Sequence, residues 1–447
     1  MINSVPFLEH LALVKIGLKV YNDPDVQIFE KNEERYLADL PTEKWEFLIQ
    51  KKLSNIGSCV KIQKRIFGLM KPLSNEVSMW KEEHLYIEEL YSRENPFPFF
   101  WKENGTIDRI KTARNIIRSE NFCYPSRFET ACIYWMEEDI KKLWEEMPSD
   151  CAESYNQWRV CSYCPVNKHI IAGWIDFIGS ETENWRDYSF EHSLSWYCND
   201  GGALQGQLFQ NLSPSERSEV FSNVMEDEDE SELCTNKRSF CISQMNRNEM
   251  KEMFSKEPLA ILTAVFQWPR QVLFAELEEK IFTTLSEKDF CHLLHHIICL
   301  KIKPDWNDFY YEGVLRDLWE RSPDHFKKYI EESKMFNFFM KALNHNYNTR
   351  FEEPCPCSEQ LRELTEDLEE EPTEDSEEES IECTCGESTE ESMEVLEEDP
   401  VEEPMEHPEK LPTEVSEEDL EEEPMEHPEK LPTEVSEEDL EEEPMEH

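Results

Sequence analysis

Aromatic residues end at Phe351, although the chain continues for another 96 residues. All 12 Trp, 14 Tyr and 25 Phe lie at or before that position. The last 96 residues hold 43 acidic and three basic residues, a net charge of −40. Such a segment cannot bury enough apolar surface to offset its chain entropy, and its charges repel one another. We therefore predict a folded domain over residues 1–350 and a disordered, Glu/Pro-rich acidic tail over residues 351–447.

The apolar spacing of the predicted domain favours helices. Apolar residues recur mostly at intervals of three and four, and only 11 glycines occur in 447 residues. Residues 107–119 and 126–147 each read as one amphipathic helix, and the turn "NFCYP" joins them into a hairpin. We predict an all-α fold, either an irregular helical-hairpin array resembling an α-solenoid or a large helical bundle.

Several helix starts are predicted from capping residues. Ser126 and Glu129 have capping-box spacing, Ser213 precedes Pro214, and Ser286 begins another helix. The first helix of the hairpin is predicted to bury Ile107, Ile110, Ala113, Ile116 and Ile117. The second is predicted to bury Phe128, Ala131, Tyr134, Trp135, Ile140 and Leu143.

Four segments carry a resemblance to a known family. These are "VYNDPDV", "NGTIDRIKTARNII", "RFETACIYWMEEDIKKLWEEM" and "SPDHFKKYIEE". They resemble a lineage-expanded arthropod family of helical proteins that is uncharacterised. The resemblance covers about residues 1–345 and implies an all-helical fold without implying any activity. The acidic tail is not a feature of that family.

The fifteen cysteines are spread through the chain, and the first residues lack a basic leader and a cleavage motif. Free thiols in a reducing compartment are the expectation for such a chain. No apolar run approaches the roughly 20 residues that a membrane helix needs. We expect an intracellular, soluble protein, cytoplasmic by default, since the pattern does not separate cytoplasm from nucleus.

Cys161 and Cys164 form a "CSYC" pair whose thiolates have the spacing of a zinc or redox motif. A structural zinc site needs two further ligands, and His169, His192 and Cys198 match no common zinc-finger spacing. A redox motif is expected beside a βαβ pattern, which is missing from the sequence around this pair. Unligated structural thiols are the favoured interpretation.

A second weak metal candidate comes from "HLLHH". His292, His296 and Cys299 fall on one arc of a helix, and i, i+4 spacing can bring two imidazoles onto one metal. No glutamate stands between the histidines, so the metalloprotease pattern fails, and a polar or packed helix face is favoured. The pairs "CPC" at Cys355 and Cys357 and "CTC" further along are expected in the flexible acidic region, with low reactivity.

No sequence motif identifies an enzyme or a cofactor, and we predict neither a catalytic residue nor a cofactor. Two modest basic faces are predicted, one with Lys61, Lys64, Arg65 and Lys71 and one with Arg109, Lys111, Arg114 and Arg118. Nucleic-acid binding is disfavoured because a chain of net charge −54 is repelled by phosphate. We hypothesise that the tail folds back onto these basic faces.

A twenty-residue unit, "EEPMEHPEKLPTEVSEEDLE", begins at Glu402 and repeats unchanged from Glu422. Acidic residues directly follow Ser376, Ser416 and Ser436, a pattern that suits acidophilic kinases. An unmodified spacer made by recent duplication is an equally good interpretation.

Three functions remain open at this point. The first is a non-enzymatic protein-interaction scaffold with an acidic solubilising or docking tail. The second is a thiol- or zinc-dependent helical enzyme or metal-binding protein. The third is a chaperone that uses the acidic tail to hold basic proteins.

Overall fold

The computed structural model describes residues 8–57, 59–92, 97–158, 166–227 and 231–357. These ranges contain helices and connecting turns but no β-strand, and their one isolated bridge joins Trp101 to Ile107. The predicted all-α class is therefore confirmed. All described residues belong to one compact unit that spans residues 1–386.

The helices are mostly short, in keeping with a chain that turns back repeatedly. The amino-terminal helices are α1 (Leu8–Tyr21), α2 (Pro24–Glu33), α3 (Thr42–Ser54), α4 (Val60–Gly68), α5 (Met70–Glu82), α6 (Glu89–Ser92), α7 (Arg109–Arg118), α8 (Tyr124–Ile133) and α9 (Glu137–Glu145). The central helices are α10 (Ser149–Trp158), α11 (Val166–Ile178), α12 (Leu194–Tyr197), α13 (Gly201–Gln205), α14 (Gln207–Asn211), α15 (Pro214–Glu226), α16 (Glu232–Gln244) and α17 (Arg247–Lys256). The carboxyl-terminal helices are α18 (Pro258–Val265), α19 (Phe274–Leu277), α20 (Ile281–Thr284), α21 (Glu287–His296), α22 (Tyr311–Arg321), α23 (Asp324–Glu331) and α24 (Phe336–Asn344).

Many helices pack against their neighbours in sequence. Helix α7 packs on α8, α8 on α9, and α15 on α16. Further along, α16 packs on α18, α18 on α21, and α21 on α23. This order of contacts is that of an irregular helical array. A π-helical segment, Ile297–Ile302, directly continues α21.

Two hydrophobic cores lie side by side in the array. The amino-terminal core is built around Trp45 and Trp80, and the carboxyl-terminal core extends from Ala113 to Cys355. Helix α7 serves both cores, because Ile116 belongs to the first and Ile117 to the second. The two faces of this one helix therefore hold the cores together.

Helix α7 matches the predicted segment closely, but its start differs. The helix begins at Arg109 rather than at residue 107, and the carboxylate of Asp108 caps it by accepting from the Lys111 amide. The predicted stripe is buried at Ile107, Ala113, Ile116 and Ile117. Ile110 packs against the core while partly exposed.

The predicted single helix over 126–147 is wrong, because the chain forms two helices, α8 and α9. Trp135 lies between them with a φ of 58°, in the left-handed region. This turn directs the Trp135 ring into an aromatic cluster, with its centroid 5.1 Å from Trp174 and 5.5 Å from Trp185. The aromatic packing offsets the backbone cost. The six residues predicted to face inward are all buried.

The predicted capping box of Ser126 and Glu129 is also wrong. Helix α8 is capped by Cys123, whose sulfur accepts from the Ser126 amide. Glu129 is instead half-buried and accepts a hydrogen bond of 2.9 Å from the Tyr155 hydroxyl. Burial raises the pKa of Glu129 to about 7. By contrast, Ser213 and Ser286 begin α15 and α21 as predicted, and each serine also forms a complete capping box.

Buried polar side chains at the carboxyl end of α5 join the two cores. Glu83 forms a bidentate ion pair with Arg109 of α7, and both side chains are less than 10 % exposed. Next to it, the His84 ring stacks on Trp80 with 3.9 Å between centroids. His84 Nδ1 donates to the Trp80 carbonyl oxygen at 2.5 Å, so its Nε2 accepts from the Tyr134 hydroxyl at 2.9 Å.

We predict that Arg109→Leu lowers the free energy of unfolding by about 3–5 kcal/mol, because it leaves the Glu83 carboxylate buried without a counter-charge. Urea unfolding of the purified chain measures this change. Lys111→Leu is the matched control on the same helix, since the Lys111 side chain is 66 % exposed and its ion pair with Asp108 contributes little. Equal losses for the two variants would contradict the prediction.

A second prediction concerns acid stability. Burial and the nearby Arg109 guanidinium lower the pKa of His84 to about 3, so the folded protein keeps this ring neutral. The unfolded chain takes up a proton there below about pH 6.5, and stability is lost as the pH falls from that value toward 3. Replacing His84 by Asn removes this contribution.

The free-energy difference between wild type and His84→Asn should therefore shrink by about 2 kcal/mol between about pH 8 and pH 5. Urea unfolding at both pH values measures it. His325→Asn, at an exposed position near Glu287, is the control and should keep the wild-type pH dependence. A pH-independent difference for His84→Asn would contradict the assignment.

Candidate functional site

The strongest grouping of chemically reactive side chains lies where residues 351–357 pack on α21. We call His295, Cys299, Cys355 and Cys357 the thiol–imidazole cluster. His295 lies in the last turn of α21, and Cys299 follows four residues later in the π-helical segment. Residues four apart share a helix face, so both side chains project toward the same neighbour.

The segment 351–357 supplies the other two members of the cluster and is held by packing on both sides. Phe351 is buried, with its ring centroid 5.8 Å from that of Phe338. Arg350 Nε donates to the Lys303 carbonyl oxygen at 3.2 Å, and Lys341 pairs with Glu353 at 2.7 Å. The packed body therefore continues to Cys357, past the residue where the aromatic residues end.

The donor atoms of the thiol–imidazole cluster lie close together. His295 Nε2 is 3.2 Å from the Cys355 sulfur. The donor atoms of His295, Cys355 and Cys357 all lie within 4.8 Å of one another. The Cys299 thiol lies beside that of Cys355, which is only 8 % exposed, whereas Cys357 lies at the surface.

Burial disfavours the thiolate form of the neighbouring cysteines. Burial, followed by the neighbouring Cys355, raises the pKa of Cys299 to about 12. Burial also raises the pKa of Cys291, one turn before His295, to about 11. These thiols stay protonated near neutral pH without a metal, which is unlike an activated nucleophile. The arrangement suits metal coordination better than thiol catalysis.

The structure separates the three residues that the sequence grouped as a metal candidate, His292, His296 and Cys299. His292 is exposed, whereas His296 is buried and its Nε2 has no hydrogen-bond partner. Burial is the main cause that lowers the pKa of His296 to about 3. Cys299 lies beside Cys355, and the three predicted residues do not form a donor group in the described part of the chain. The neighbouring His295 faces the Cys355 sulfur instead.

The other predicted site residues lie outside the described residues. These are Cys161 and Cys164 of the "CSYC" pair, and the serines Ser376, Ser416 and Ser436. The sequence interpretation did not single out His295, and it rated Cys355 and Cys357 as weak candidates. The only available signal was the cysteine pair directly after the last aromatic residue, which could have indicated a packed end to the domain.

A second donor group lies on α11 and the loop before α12. His169 Nδ1 is 3.4 Å from a Glu191 carboxylate oxygen, and His192 completes a set whose donor atoms lie within 4.8 Å. The His192 ring packs 4.1 Å from that of Trp196. Glu191 is exposed, and an ordinary histidine–carboxylate contact accounts for this geometry.

The two basic faces predicted from sequence are reduced in the structure. Lys71 is buried, and its ammonium group donates to the Pro304 carbonyl oxygen. Burial lowers the pKa of Lys71 to about 8. Arg109 forms an ion pair with Glu83, and Arg65 forms one with Glu9. These contacts weaken the hypothesis that the tail folds back onto those faces.

An acid-lined cleft of about 330 Å³ lies beside residues 347–351. Four carboxylates line it, from Glu43, Glu46, Asp305 and Glu312. Arg350 also lines the cleft, and buried Lys71 lies near Asp305 and Glu43. Acidic groups therefore outnumber basic ones at this surface.

Comparisons with protein-family models, with curated proteins and with solved structures found no match to this chain. The resemblance to the arthropod family stays a prediction. In the described part of the chain, no helix is both long enough and apolar enough to cross a membrane.

We predict that Cys357 reacts with iodoacetamide faster than Cys299 by about 100-fold or more when a chelator is present, because burial withholds the Cys299 thiolate. Peptide mapping by mass spectrometry at several reaction times measures each thiol. Exposed Cys59 is the fast reference and buried Cys132 the slow one. Modification of Cys299 as fast as Cys59 would contradict the described packing.

Proposed function

We propose that this protein is a non-enzymatic interaction scaffold that docks basic segments of partner proteins. The observation that carries the proposal is the position of the acid-lined cleft, which ends at Phe351, where the acidic tail begins. A basic segment held at the cleft therefore lies beside the start of a chain region with a net charge of −40. Cleft and tail then attract the same kind of partner.

Electrostatics would set both the partner and the strength of docking. Separated exposed charges contribute little each, but they speed association and reject partners of like charge. The same charges disfavour nucleic acid. Phosphate on Ser376, Ser416 or Ser436 would add about −1.5 to −2 charges at each serine and strengthen the attraction.

The free thiols support a reducing, intracellular location in this proposal. Every cysteine in the described residues is free, including the buried Cys132, Cys198 and Cys241. Disulfides are rare where glutathione and thioredoxin keep thiols reduced. Cytoplasm and nucleus are both reducing, and basic partners occur in each.

The docking proposal is tested with a synthetic peptide of alternating lysine and serine, titrated calorimetrically at low salt into the full-length chain. We expect Glu43→Gln combined with Glu46→Gln to weaken binding by about 3- to 30-fold, because two carboxylates leave the cleft. Raising the salt concentration should weaken wild-type binding strongly. Deleting residues 358–447 should weaken it further and leave residual binding at the cleft.

The matched control is Glu276→Gln combined with Glu279→Gln, which removes the same charge from exposed positions outside the cleft. If the cleft variant and this control bind the peptide equally, the cleft is not the docking site. If the peptide binds only to residues 358–447, the acidic tail alone is the binding element, as in the chaperone alternative.

A further inference from the structure

The docking proposal leaves the thiol–imidazole cluster without a role. We propose that His295, Cys299, Cys355 and Cys357 form a structural site for Zn²⁺ or a similar thiophilic divalent metal. One nitrogen and three sulfur donors make up the set. This inference is independent of the docking function, since it concerns a different group of side chains.

The distances among three of the four donors fit tetrahedral coordination with small adjustments. Zinc bonds of about 2.3 Å to sulfur and 2.0–2.1 Å to nitrogen place the donor atoms about 3.5–3.8 Å apart. The observed separation of 3.2 Å between His295 Nε2 and the Cys355 sulfur lies close to that value. The 4.8 Å limit on the separations within His295, Cys355 and Cys357 leaves at most about 1 Å to close among these three donors. The Cys299 sulfur lies outside this group, on the side of Cys355, and has to move further toward the other donors to complete the tetrahedron.

The protein holds each ligand from a rigid element. His295 and Cys299 lie on one continuous helical segment, and Pro354 and Pro356 restrict the backbone on either side of Cys355. The packing of Phe351 fixes the start of that short segment. Such support from regular structure is what a preformed site requires.

The donor set indicates a structural role for the metal. A site with three cysteines and one histidine fills all four positions, whereas catalytic zinc keeps one position for water or substrate. Each thiol must lose its proton to the solvent as its sulfur–metal bond forms, so binding Zn²⁺ releases three protons per site. The resulting centre has a net charge of about −1, and Lys303 lies near Cys299 to balance it.

Metal binding at this site would join two parts of the chain that are distant in sequence. His295 and Cys355 are 60 residues apart. The bound ion would tie the segment that leads into the acidic tail to the helix formed by α21 and its π-helical extension. Closing a long loop in this way stabilises the folded chain by restricting the unfolded one.

Purified full-length chain, kept reduced, is first assayed for bound zinc and then stripped with a chelator. The stripped protein is then titrated with Co²⁺, because the visible absorption spectrum of bound Co²⁺ depends on its coordination geometry. We expect one equivalent per chain, with thiolate-to-cobalt charge transfer and the intense visible bands of tetrahedral cobalt. Zn²⁺ should displace the cobalt. Co²⁺ bound by carboxylates of the acidic tail would show no thiolate-to-cobalt charge-transfer band, so this band distinguishes the two kinds of binding.

His295→Ala and Cys357→Ser should each weaken binding by about 100-fold or more. Cys357 is at the surface, so its variant keeps the hydrophobic core intact, and circular dichroism checks the fold of both variants. The matched control is His292→Ala, which removes an exposed histidine from the same helix and should leave the cobalt spectrum unchanged.

Three results would overturn the proposal. One is a cobalt titration without a thiolate band. Another is a spectrum retained in His295→Ala but lost in His169→Ala, which would assign the metal to the donor group near Glu191. The third is metal-free protein in which Cys299 and Cys355 are joined by a disulfide, because the two thiols would then be a disulfide pair rather than metal ligands. None of these results bears on peptide binding at the cleft, so the two proposals fail separately.

Discussion

The arrangement of this array depends on the buried polar contacts that follow α5. Trp80 belongs to the amino-terminal core, yet His84 stacks on it and accepts from Tyr134 of the carboxyl-terminal core. The adjacent Glu83–Arg109 pair ties the same end of α5 to α7. Hydrogen bonds in a low-dielectric interior require a narrow range of geometry, and a buried donor or acceptor that lacks its partner destabilises the fold. They therefore fix the angle between the two cores more narrowly than apolar packing alone.

This fixed arrangement has consequences at the far end of the chain. Residues 351–357 reach α21 because α22 and α24 pack together. The Arg350 guanidinium also donates a hydrogen bond to the Lys303 carbonyl oxygen, which holds the start of this segment. The same path places Phe351 at the edge of the acid-lined cleft. A single packed segment thus contributes two sulfurs to the thiol–imidazole cluster and one wall to the cleft. The described part of the chain ends at Cys357, within the cluster.

The distribution of charged side chains makes the surface near the cleft acidic. The body buries or pairs several of its bases, among them Lys71 and Arg109, so that their charges are not offered to an outside ligand. Its acidic side chains remain available at the cleft, next to the start of the acidic tail. An acidic protein that internalises its bases presents a more negative surface than its composition alone implies. Basic protein segments are the partners that such a surface favours.

The sequence by itself determined the helical class, the buried stripe of α7 and the helix starts at Ser213 and Ser286, because periodicity and capping are local properties. It also located the acidic tail through the loss of aromatic residues after Phe351. Only the tertiary structure decided where Trp135 turns the chain, because that turn is stabilised by rings distant in sequence. It likewise decided that His295, and neither His292 nor His296, faces Cys355. Helical spacing places residues on an arc, but the partner across a 60-residue loop selects which of them become ligands.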